Sequence, residues 1–222
     1  MKKYAIIVAG GTGKRMGEAL PKQFLKLGGT PILIHTLQAF QAADPEIKLI
    51  LTLPQEEIQF WDELNIWHQN YIEHKVVAGG ETRFHSVKNA LAHVDEGLVA
   101  VHDGVRPFVS KKTINESFEQ AKENKAVVTA VPMKDSVRQL DESGNSKNIE
   151  RSSLRLIQTP QTFNVELLKS AYNTTFKPSF TDDASVVEAH GHSITLIEGE
   201  YQNIKITTPE DLIIAEALLK AK

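Results

Sequence analysis

A glycine-rich stretch that directly follows an apolar run is the first place where this sequence could do chemistry. The run covers residues 4–8 and predicts a buried strand, and glycines at the carboxyl end of a strand let backbone N–H groups approach an anion closely. Two cations, Arg15 and Lys22, flank the loop and could clamp a polyphosphate. A glycine turn with solvated basic residues is the alternative. The loop consists of Ala9, Gly10, Gly11, Thr12 and Gly13.

The loop does not match the two best-known phosphate loops. A Walker A loop needs Ser or Thr after its Gly-Lys pair, and here Gly13-Lys14 is followed by Arg15. The dinucleotide fingerprint Gly-x-Gly-x-x-Gly begins at Gly11 but ends on Met16. The sequence therefore indicates a phosphate loop of another kind, and a dinucleotide-dependent dehydrogenase is disfavoured.

Three further polar or glycine-rich turns follow predicted strands in the same manner. They lie at residues 79–81, 103–104 and 132–135. In a parallel sheet the carboxyl ends of the strands meet at one edge, and ligands bind there. Four such turns at one edge predict a binding site.

The elements that must position these turns alternate between strands and helices. The strands are mostly continuous apolar runs, which is typical of a parallel sheet that is buried on both faces. We predict a Rossmann-like α/β fold with a mostly parallel central sheet and helices on both faces, in one domain over residues 1–222. Strands are predicted at 4–8, 48–54, 74–78, 98–104 and 126–132, and helices at 31–40, 55–71, 84–93 and 112–124.

The alternation breaks between about residues 135 and 157, where two polar segments flank a turn at 141–146. This pattern predicts a β-hairpin arm that projects from the domain. A polar arm gains little by burial on its own chain, so dimer contact is a hypothesis and an exposed loop is the alternative. Beyond the arm we predict helices at 165–172 and opening at 180–185, a strand at 193–198, and a last helix capped by Thr208 with Pro209 in its first turn.

Composition bounds the classes of protein that remain. The chain has 222 residues and a net charge of −3, so it is not expected to be a general nucleic-acid binder. It has no cysteine, which excludes disulfides and thiolate metal ligands. The first apolar run is too short for a signal segment and no run approaches membrane-spanning length, so we expect a cytoplasmic protein without membrane contact.

Several charged residues and histidines also have ordinary structural interpretations. His102 precedes Asp103, but adjacent strand residues point to opposite faces, so we interpret the histidine as structural rather than as half of a catalytic pair. The other histidines lack ligand spacing, and no zinc site is predicted. Arg151 alone could be a solvated charge on the hairpin. Lys205 could be the outward residue of an alternating strand at 204–206.

Five motifs together resemble the cytidylyltransferases of sugar-alcohol phosphates, and the resemblance spans essentially the whole chain. The motifs lie at residues 9–16, 21–23, 102–107, 158–161 and 203–205. Two further stretches, at 79–87 and 181–185, look like the branch that uses methylerythritol phosphate rather than the branch that uses ribitol phosphate.

The resemblance implies transfer of the CMP moiety of CTP to 2-C-methyl-D-erythritol 4-phosphate, with release of pyrophosphate, in non-mevalonate isoprenoid precursor biosynthesis. A phosphate monoester has a second pKa of roughly 6, so its oxygen is already an anionic nucleophile at neutral pH. No protein nucleophile or general base is then required. The protein has to position two anions and stabilise charge on the α-phosphate and the leaving pyrophosphate, and cations with Mg²⁺ are expected to do so.

The resemblance also implies roles for individual residues. The expected catalytic cations are Arg15 and Lys22 on the triphosphate, and Arg151 and Lys205 on the polyol phosphate. The expected nucleotide contacts are Ala9, Gly10, Gly11, Thr12, Gly13, Gly80, Glu81, Arg83, Ser86 and Asp103. The polyol-phosphate pocket would be completed by Arg106, Ser136, Thr159 and Thr181. Asp103 suits ribose, substrate hydroxyls or Mg²⁺, and the sequence does not choose among these.

Finally, the resemblance implies a homodimer interlocked by the arm, with a pocket shared between subunits. It leaves open which subunit Arg106 serves. The alternatives are ribitol 5-phosphate as the acceptor, and a nucleotide-binding regulator without catalysis. The four cations argue against the regulator, because a sensor has no need of both pairs.

Overall fold

A seven-stranded sheet forms the centre of the computed structural model, which describes residues 1–11, 20–67 and 72–221. The strands are β1 (Lys3–Val8), β2 (Lys26–Leu27), β3 (Thr30–Pro31), β4 (Lys48–Leu53), β5 (His74–Ala78), β6 (Leu98–Asp103), β7 (Ala126–Pro132), β8 (Val137–Leu140), β9 (Ser146–Ile149), β10 (Arg155–Asn164) and β11 (Thr195–Glu198). The helices are α1 (Ile32–Ala43), α2 (Ile58–Trp67), α3 (Arg83–Leu91), α4 (Lys111–Asn124), α5 (Val165–Tyr172), α6 (Asp183–Ala189) and α7 (Pro209–Lys220).

The strands of the central sheet follow the order β11-β7-β10-β6-β1-β4-β5. Neighbours are parallel except at β10, which runs antiparallel to both β6 and β7. The carboxyl ends of the parallel strands therefore lie along one edge, and the predicted mostly parallel α/β fold is confirmed. The strand β10 was not predicted from the sequence. The assignment of the whole chain to one domain stays a prediction.

Two apolar cores cover the opposite faces of the sheet. Ile7 of β1 packs in the core that contains Leu33 and Phe118, whereas its neighbour Ile6 packs in the core that contains Phe84. Helices α1, α2 and α4 contribute to the first core, and α3, α5 and α6 contribute to the second. Because both faces are covered, successive strand residues are apolar, which explains the continuous runs in the sequence.

The predicted arm is an antiparallel hairpin of β8 and β9. The pairing runs from Val137 opposite Ile149 to Leu140 opposite Ser146. Most residues of both strands are exposed, as expected for a polar hairpin that projects from the sheet. The prediction of a β-hairpin at this position is confirmed.

The segment that carries Lys205 differs from its predicted structure. Residues 203–207 form no strand, and Ile206 donates its backbone N–H to the carbonyl of Val105 at 3.0 Å. Ile206 is buried and Lys205 is exposed, so burial alternates along the segment although the segment does not pair with a strand. The strand interpretation of this segment was wrong, because alternation alone does not supply a pairing partner.

The last helix begins as predicted from its capping residues. The Thr208 hydroxyl accepts the backbone N–H of Asp211 at 3.4 Å, and Pro209 occupies the first helical position. Among the helices in the described part of the chain, none combines the length and the apolar character that crossing a bilayer requires.

A hydrogen bond between the buried Trp61 and the half-buried His74 makes the stability of the fold depend on pH. Trp61 Nε1–H donates to His74 Nε2 at 2.9 Å, and His74 Nδ1 lies 2.6 Å from the carbonyl oxygen of Ile72. Burial lowers the pKa of His74. Since the unfolded chain then binds a proton more readily, we expect the free energy of unfolding to fall as the pH decreases below about 6.5, the ordinary histidine value.

Urea unfolding at several pH values between about 7.5 and 5.5 measures this effect. His74→Gln is expected to show a shallower pH dependence than the wild type, while His192→Gln, at an exposed position, is expected to keep the wild-type dependence. An unchanged slope in His74→Gln would contradict the assignment.

Candidate active site

A cavity of about 360 Å³ lies at the carboxyl edge of the sheet, beside β1, β5 and β6. Ten predicted site residues line it: Ala9, Gly10, Gly11, Lys22, Gly80, Glu81, Arg83, Ser86, Asp103 and Lys205. The unpredicted lining residues are Val8, Gln23, Thr82 and Val105. The predicted residues Thr12, Gly13 and Arg15 lie outside the described residues. Three of the four predicted turns thus meet at one place, whereas the turn at 132–135 does not line the cavity.

The side chain of Ser86 joins the glycine turns to the start of α3. Its hydroxyl accepts the N–H of Gly80 at 3.1 Å and donates to the carbonyl of Thr82 at 3.1 Å. A Cβ placed on Gly10 would lie 3.3 Å from the same oxygen, and a Cβ on Gly79 would lie 3.0 Å from it. Glycine is favoured at these positions because a Cβ would approach the hydroxyl more closely than an ordinary van der Waals contact.

Two backbone segments give the cavity its capacity to bind an anion. The first turn of α3 begins at the cavity, and its cap residue Thr82 accepts the N–H of His85 at 3.4 Å. The glycine loop is fixed on the other side, where Gln23 Nε2 donates to the carbonyl of Ala9 at 3.0 Å. The positive end of a helix beside a fixed glycine turn favours a phosphate group.

Asp103 lies at the centre of a cluster of three cations. Its carboxylate is 3.1 Å from Arg106 Nε, 3.1 Å from Lys205 Nζ and 3.7 Å from Arg83 Nε. Burial alone would raise the pKa of Asp103, but the charges of Arg83, Lys205 and Arg106 hold it well below its usual range. Asp103 is therefore ionised, and its carboxylate keeps three positively charged side chains close together on one side of the cavity.

The Arg83 guanidinium forms an ion pair with a carboxylate that was not predicted to belong to the site. Arg83 Nη2 donates to Asp183 Oδ2 at 2.6 Å, and Tyr172 donates its hydroxyl to Asp183 Oδ1 at 2.6 Å. Asp183 is fully buried. Burial and the charge of Asp183 raise the pKa of Tyr172 well above its ordinary value. The stretch at 181–185 was recognised as a motif, but nothing in the sequence indicated its ion pair with residue 83.

This contact predicts a large loss of stability in Asp183→Asn. Removing the fully buried charge leaves the guanidinium with only the more distant Asp103 carboxylate at 3.7 Å, and we expect the free energy of unfolding to fall by about 3–5 kcal/mol. Tyr172→Phe removes only a hydrogen bond to the same carboxylate and should cost less, about 1.5–3 kcal/mol. Urea unfolding of both variants measures the two losses. Equal stability of Asp183→Asn and the wild type would show that the pair contributes nothing.

Arg106 and Thr159 lie beside the cavity rather than in its lining. The guanidinium of Arg106 donates from Nε to Asp103 at 3.1 Å and from Nη1 to the carbonyl of Asn203 at 2.8 Å. Thr159 is buried, and its hydroxyl accepts the backbone N–H of Asp103 at 3.1 Å. Both side chains therefore form hydrogen bonds with Asp103 of the same chain.

Three other predicted residues do not line the cavity. Arg151 is exposed in a short 3₁₀ turn at the base of the arm, where Nη1 donates to the carbonyl of Lys134 at 2.6 Å. Ser136 is exposed immediately before β8, and Thr181 is exposed two residues before the buried Asp183. Of the four predicted catalytic cations, Lys22 and Lys205 line the cavity, Arg151 does not, and Arg15 lies outside the described residues.

His102 forms no pair with the Asp103 carboxylate. The ring is fully buried and packs edge-on against Phe40 at a centroid distance of 5.0 Å. Burial lowers the pKa of His102 to about 4, so the ring is neutral at pH 7. These contacts agree with the prediction that His102 is not half of a catalytic pair, and its structural role stays a prediction.

The described residues do not fit a resident Mg²⁺ ion. Over the ranges 1–11, 20–67 and 72–221, no group of three or more His, Asp or Glu side chains is arranged to hold a metal. Asp103, which the sequence analysis considered as a ligand, faces three cations, and these repel an added cation. Mg²⁺ prefers one or two protein carboxylates together with substrate phosphates, so the ion would depend on the substrate.

Comparison with known proteins places this geometry in a family. The family model described as "IspD: 2-C-methyl-D-erythritol 4-phosphate cytidylyltransferase" matches residues 4–221. The enzyme of that name from Bacteroides thetaiotaomicron is 54% identical over 220 residues, with 99% of this chain and 100% of that protein covered. A crystal structure of the enzyme from Thermus thermophilus superimposes with a TM-score of 0.80 at 32% identity, covering 99% of this chain and 100% of the other. The chain belongs to the IspD family of cytidylyltransferases.

Proposed function

We propose that this protein transfers the cytidylyl group of CTP to 2-C-methyl-D-erythritol 4-phosphate. The products are 4-diphosphocytidyl-2-C-methyl-D-erythritol, an intermediate of isoprenoid biosynthesis, and pyrophosphate. The observation that carries the proposal is the cluster of Arg83, Arg106 and Lys205 around Asp103 at the carboxyl edge of the sheet, beside a cavity that Lys22 also lines, in a member of this family.

The proposed reaction is a direct displacement at the α-phosphorus of CTP. An oxygen of the polyol phosphate forms the new P–O bond, and the bond between the α-phosphorus and the bridging oxygen to the β-phosphate breaks. The electron pair leaves with pyrophosphate, and no protein proton has to move, because the attacking phosphate is already an anion at neutral pH. The protein contributes position and positive charge.

We assign the two ends of the cavity to the two substrates. The glycine loop at 9–11 and the start of α3 would hold the nucleotide, with Lys22 and Arg15 on its triphosphate. Glu81, Arg83 and Ser86 would border the base and ribose. Lys205 would hold the polyol phosphate, and Asp103 would fix the Lys205 ammonium, which lies 3.1 Å from its carboxylate.

We further propose that the arm supplies part of the pocket to a second copy of the chain. Ser136 and Arg151 do not line the cavity of their own subunit, and most of the hairpin is exposed. A homodimer with exchanged arms would bring these residues to the polyol phosphate of the partner. Arg106, by contrast, contacts Asp103 of its own chain at 3.1 Å and is assigned to its own subunit.

Mixing two inactive variants tests the shared pocket. Arg151→Gln and Lys205→Gln homodimers should both be nearly inactive. When the two chains are co-expressed, half of the dimers contain one chain of each type, and one of their two sites has neither substitution. Activity of about a quarter of the wild type is therefore expected. No recovery in a mixture shown to contain heterodimers would contradict sharing.

We propose that Mg²⁺ enters as the Mg·CTP complex, because the described residues do not form a site of their own. The ion would then neutralise triphosphate charge as part of the substrate. The cytoplasmic location expected from the sequence stays a prediction.

Pyrophosphate release with two acceptors tests the proposed function. CTP with 2-C-methyl-D-erythritol 4-phosphate should give pyrophosphate and a product whose mass matches the cytidine diphosphate derivative. CTP with ribitol 5-phosphate should give little. Turnover with ribitol 5-phosphate alone would show that the chain belongs functionally with the other branch, and nucleotide binding without any turnover would favour a regulator.

A further inference from the structure

We infer that His102 and Thr159 are positioning residues, which fix the loop of Asp103 and Arg106 through a buried chain of hydrogen bonds. The inference rests on the proposed function only in that Asp103 serves the reaction. Asp103 N–H lies 3.1 Å from Thr159 Oγ1, Thr159 Oγ1 lies 3.0 Å from His102 Nδ1, and His102 Nε2 lies 3.2 Å from the carbonyl oxygen of Arg106.

The groups at the two ends of this series of hydrogen bonds determine which atom donates in each bond. The carbonyl of Arg106 can only accept, so His102 Nε2 carries the proton and donates. A neutral imidazole has one N–H, and Nδ1 must therefore accept from the Thr159 hydroxyl. The same hydroxyl oxygen accepts the backbone N–H of Asp103. Every hydrogen in this series of hydrogen bonds therefore has an acceptor.

The series of hydrogen bonds closes a short loop that contributes Asp103 and Arg106 to the cation cluster. It ties the backbone of Asp103 to the backbone of Arg106, and the two side chains meet at 3.1 Å. The intervening Gly104 carbonyl accepts the hydroxyl of Thr36 at 3.0 Å, which fixes the middle of the loop. The carboxylate that holds Lys205 is therefore placed by buried groups that do not line the cavity.

This arrangement explains why a hydroxyl and a histidine are buried side by side behind the site. Thr159 and His102 are 4% and 0% exposed, and a buried polar group is costly unless it is hydrogen-bonded. Valine would fill the place of Thr159 with nearly the same shape. It would leave the Asp103 N–H without its acceptor and His102 Nδ1 without its donor.

Kinetics of Thr159 variants test the positioning role. Thr159→Val is expected to lower kcat by about 10- to 100-fold, since small displacements of positioned groups cost rates of this order. Its KM for CTP should change little, and Thr159→Ser, which keeps the hydroxyl, should restore most of the rate. Thr129→Val is the matched control. Thr129 is also buried, and its hydroxyl donates to the carbonyl of Pro160 in β10 at 2.7 Å rather than to the Asp103 loop.

All variants are compared at a temperature where circular dichroism shows them folded. If Thr159→Val keeps the wild-type kcat, the inference is overturned. The same holds if Thr129→Val loses as much kcat as Thr159→Val, because the loss would then reflect general damage to the strand.

Nitrogen NMR of His102 at neutral pH tests which ring nitrogen carries the proton, and hence the donor in each hydrogen bond, in the protein without ligands. We expect a protonated Nε2 and an unprotonated Nδ1, and a change in the Nδ1 shift in Thr159→Val. A protonated Nδ1 would overturn the inference. This readout is independent of the substrate, so a failure of the proposed acceptor leaves it standing, and a wrong tautomer leaves the proposed function standing.

Discussion

Replacing Lys205 by glutamine is expected to lower kcat/KM for the polyol phosphate by about 10²–10³, the loss found when one preorganised donor to a developing charge is removed. The Lys205 side chain lines the cavity and is 41% exposed, and its ammonium lies 3.1 Å from the Asp103 carboxylate. It is thus accessible to a substrate yet fixed in position. The KM for CTP should change much less, because the glycine loop and the start of α3 are untouched. Steady-state kinetics with each substrate varied in turn measure both quantities.

Lys112→Gln is the matched control for this substitution. Lys112 is an exposed lysine on α4, so the same change of charge is made outside the site. Its kinetic constants should remain those of the wild type. Wild-type kinetics of Lys205→Gln toward the polyol phosphate would remove Lys205 from the proposed machinery.

Asp103→Asn is expected to reduce both stability and turnover. Asp103 is almost fully buried between three cations, and without its charge these cations repel one another. By analogy with other buried pairs that lose one partner, the free energy of unfolding should fall by about 3–5 kcal/mol. Turnover should fall by about 10²-fold or more, since the Lys205 ammonium loses the group that fixes it. Urea unfolding and pyrophosphate release measure the two effects.

A double variant separates the loss of charge balance from other damage. In Asp103→Asn combined with Arg106→Gln, one of the unbalanced cations is also removed, so the double variant should be less destabilised than the sum of the two single variants. Asp62→Asn, on an exposed residue of α2, should leave stability and turnover unchanged. Strict additivity of the two single losses would show that Asp103 and Arg106 do not interact energetically.

Most of the central sheet could be predicted because its strands are buried on both faces and therefore read as apolar runs. The strand β10 could not, since its buried residues include Gln161 and Thr162. Their hydrogen bonds reach Asp182 at 2.8 Å and the hydroxyl of Ser117 at 2.9 Å, and both partners are distant in the sequence. A polar strand of this kind is stabilised by tertiary contacts that local patterns do not contain.

The site could be predicted to the level of its turns, because the carboxyl ends of parallel strands meet at one edge whatever the details of the chain. Contacts between side chains that are distant in the sequence could not be predicted. The pair of Arg83 with Asp183 spans one hundred residues. The inward orientation of Thr159 depends on where β10 lies, and that strand was itself not predicted. The outward position of Lys205 followed correctly from alternation, although the segment is not a strand.

The central chemical claim is that this cavity promotes one displacement between two positioned anions, with no covalent intermediate on the protein. The stereochemical course at the α-phosphorus tests it most directly, with CTP made chiral there by a single sulfur atom. One in-line displacement inverts the configuration, whereas a cytidylyl–enzyme intermediate requires two displacements and retains it. The proposed mechanism predicts inversion in the product, and retention would contradict it.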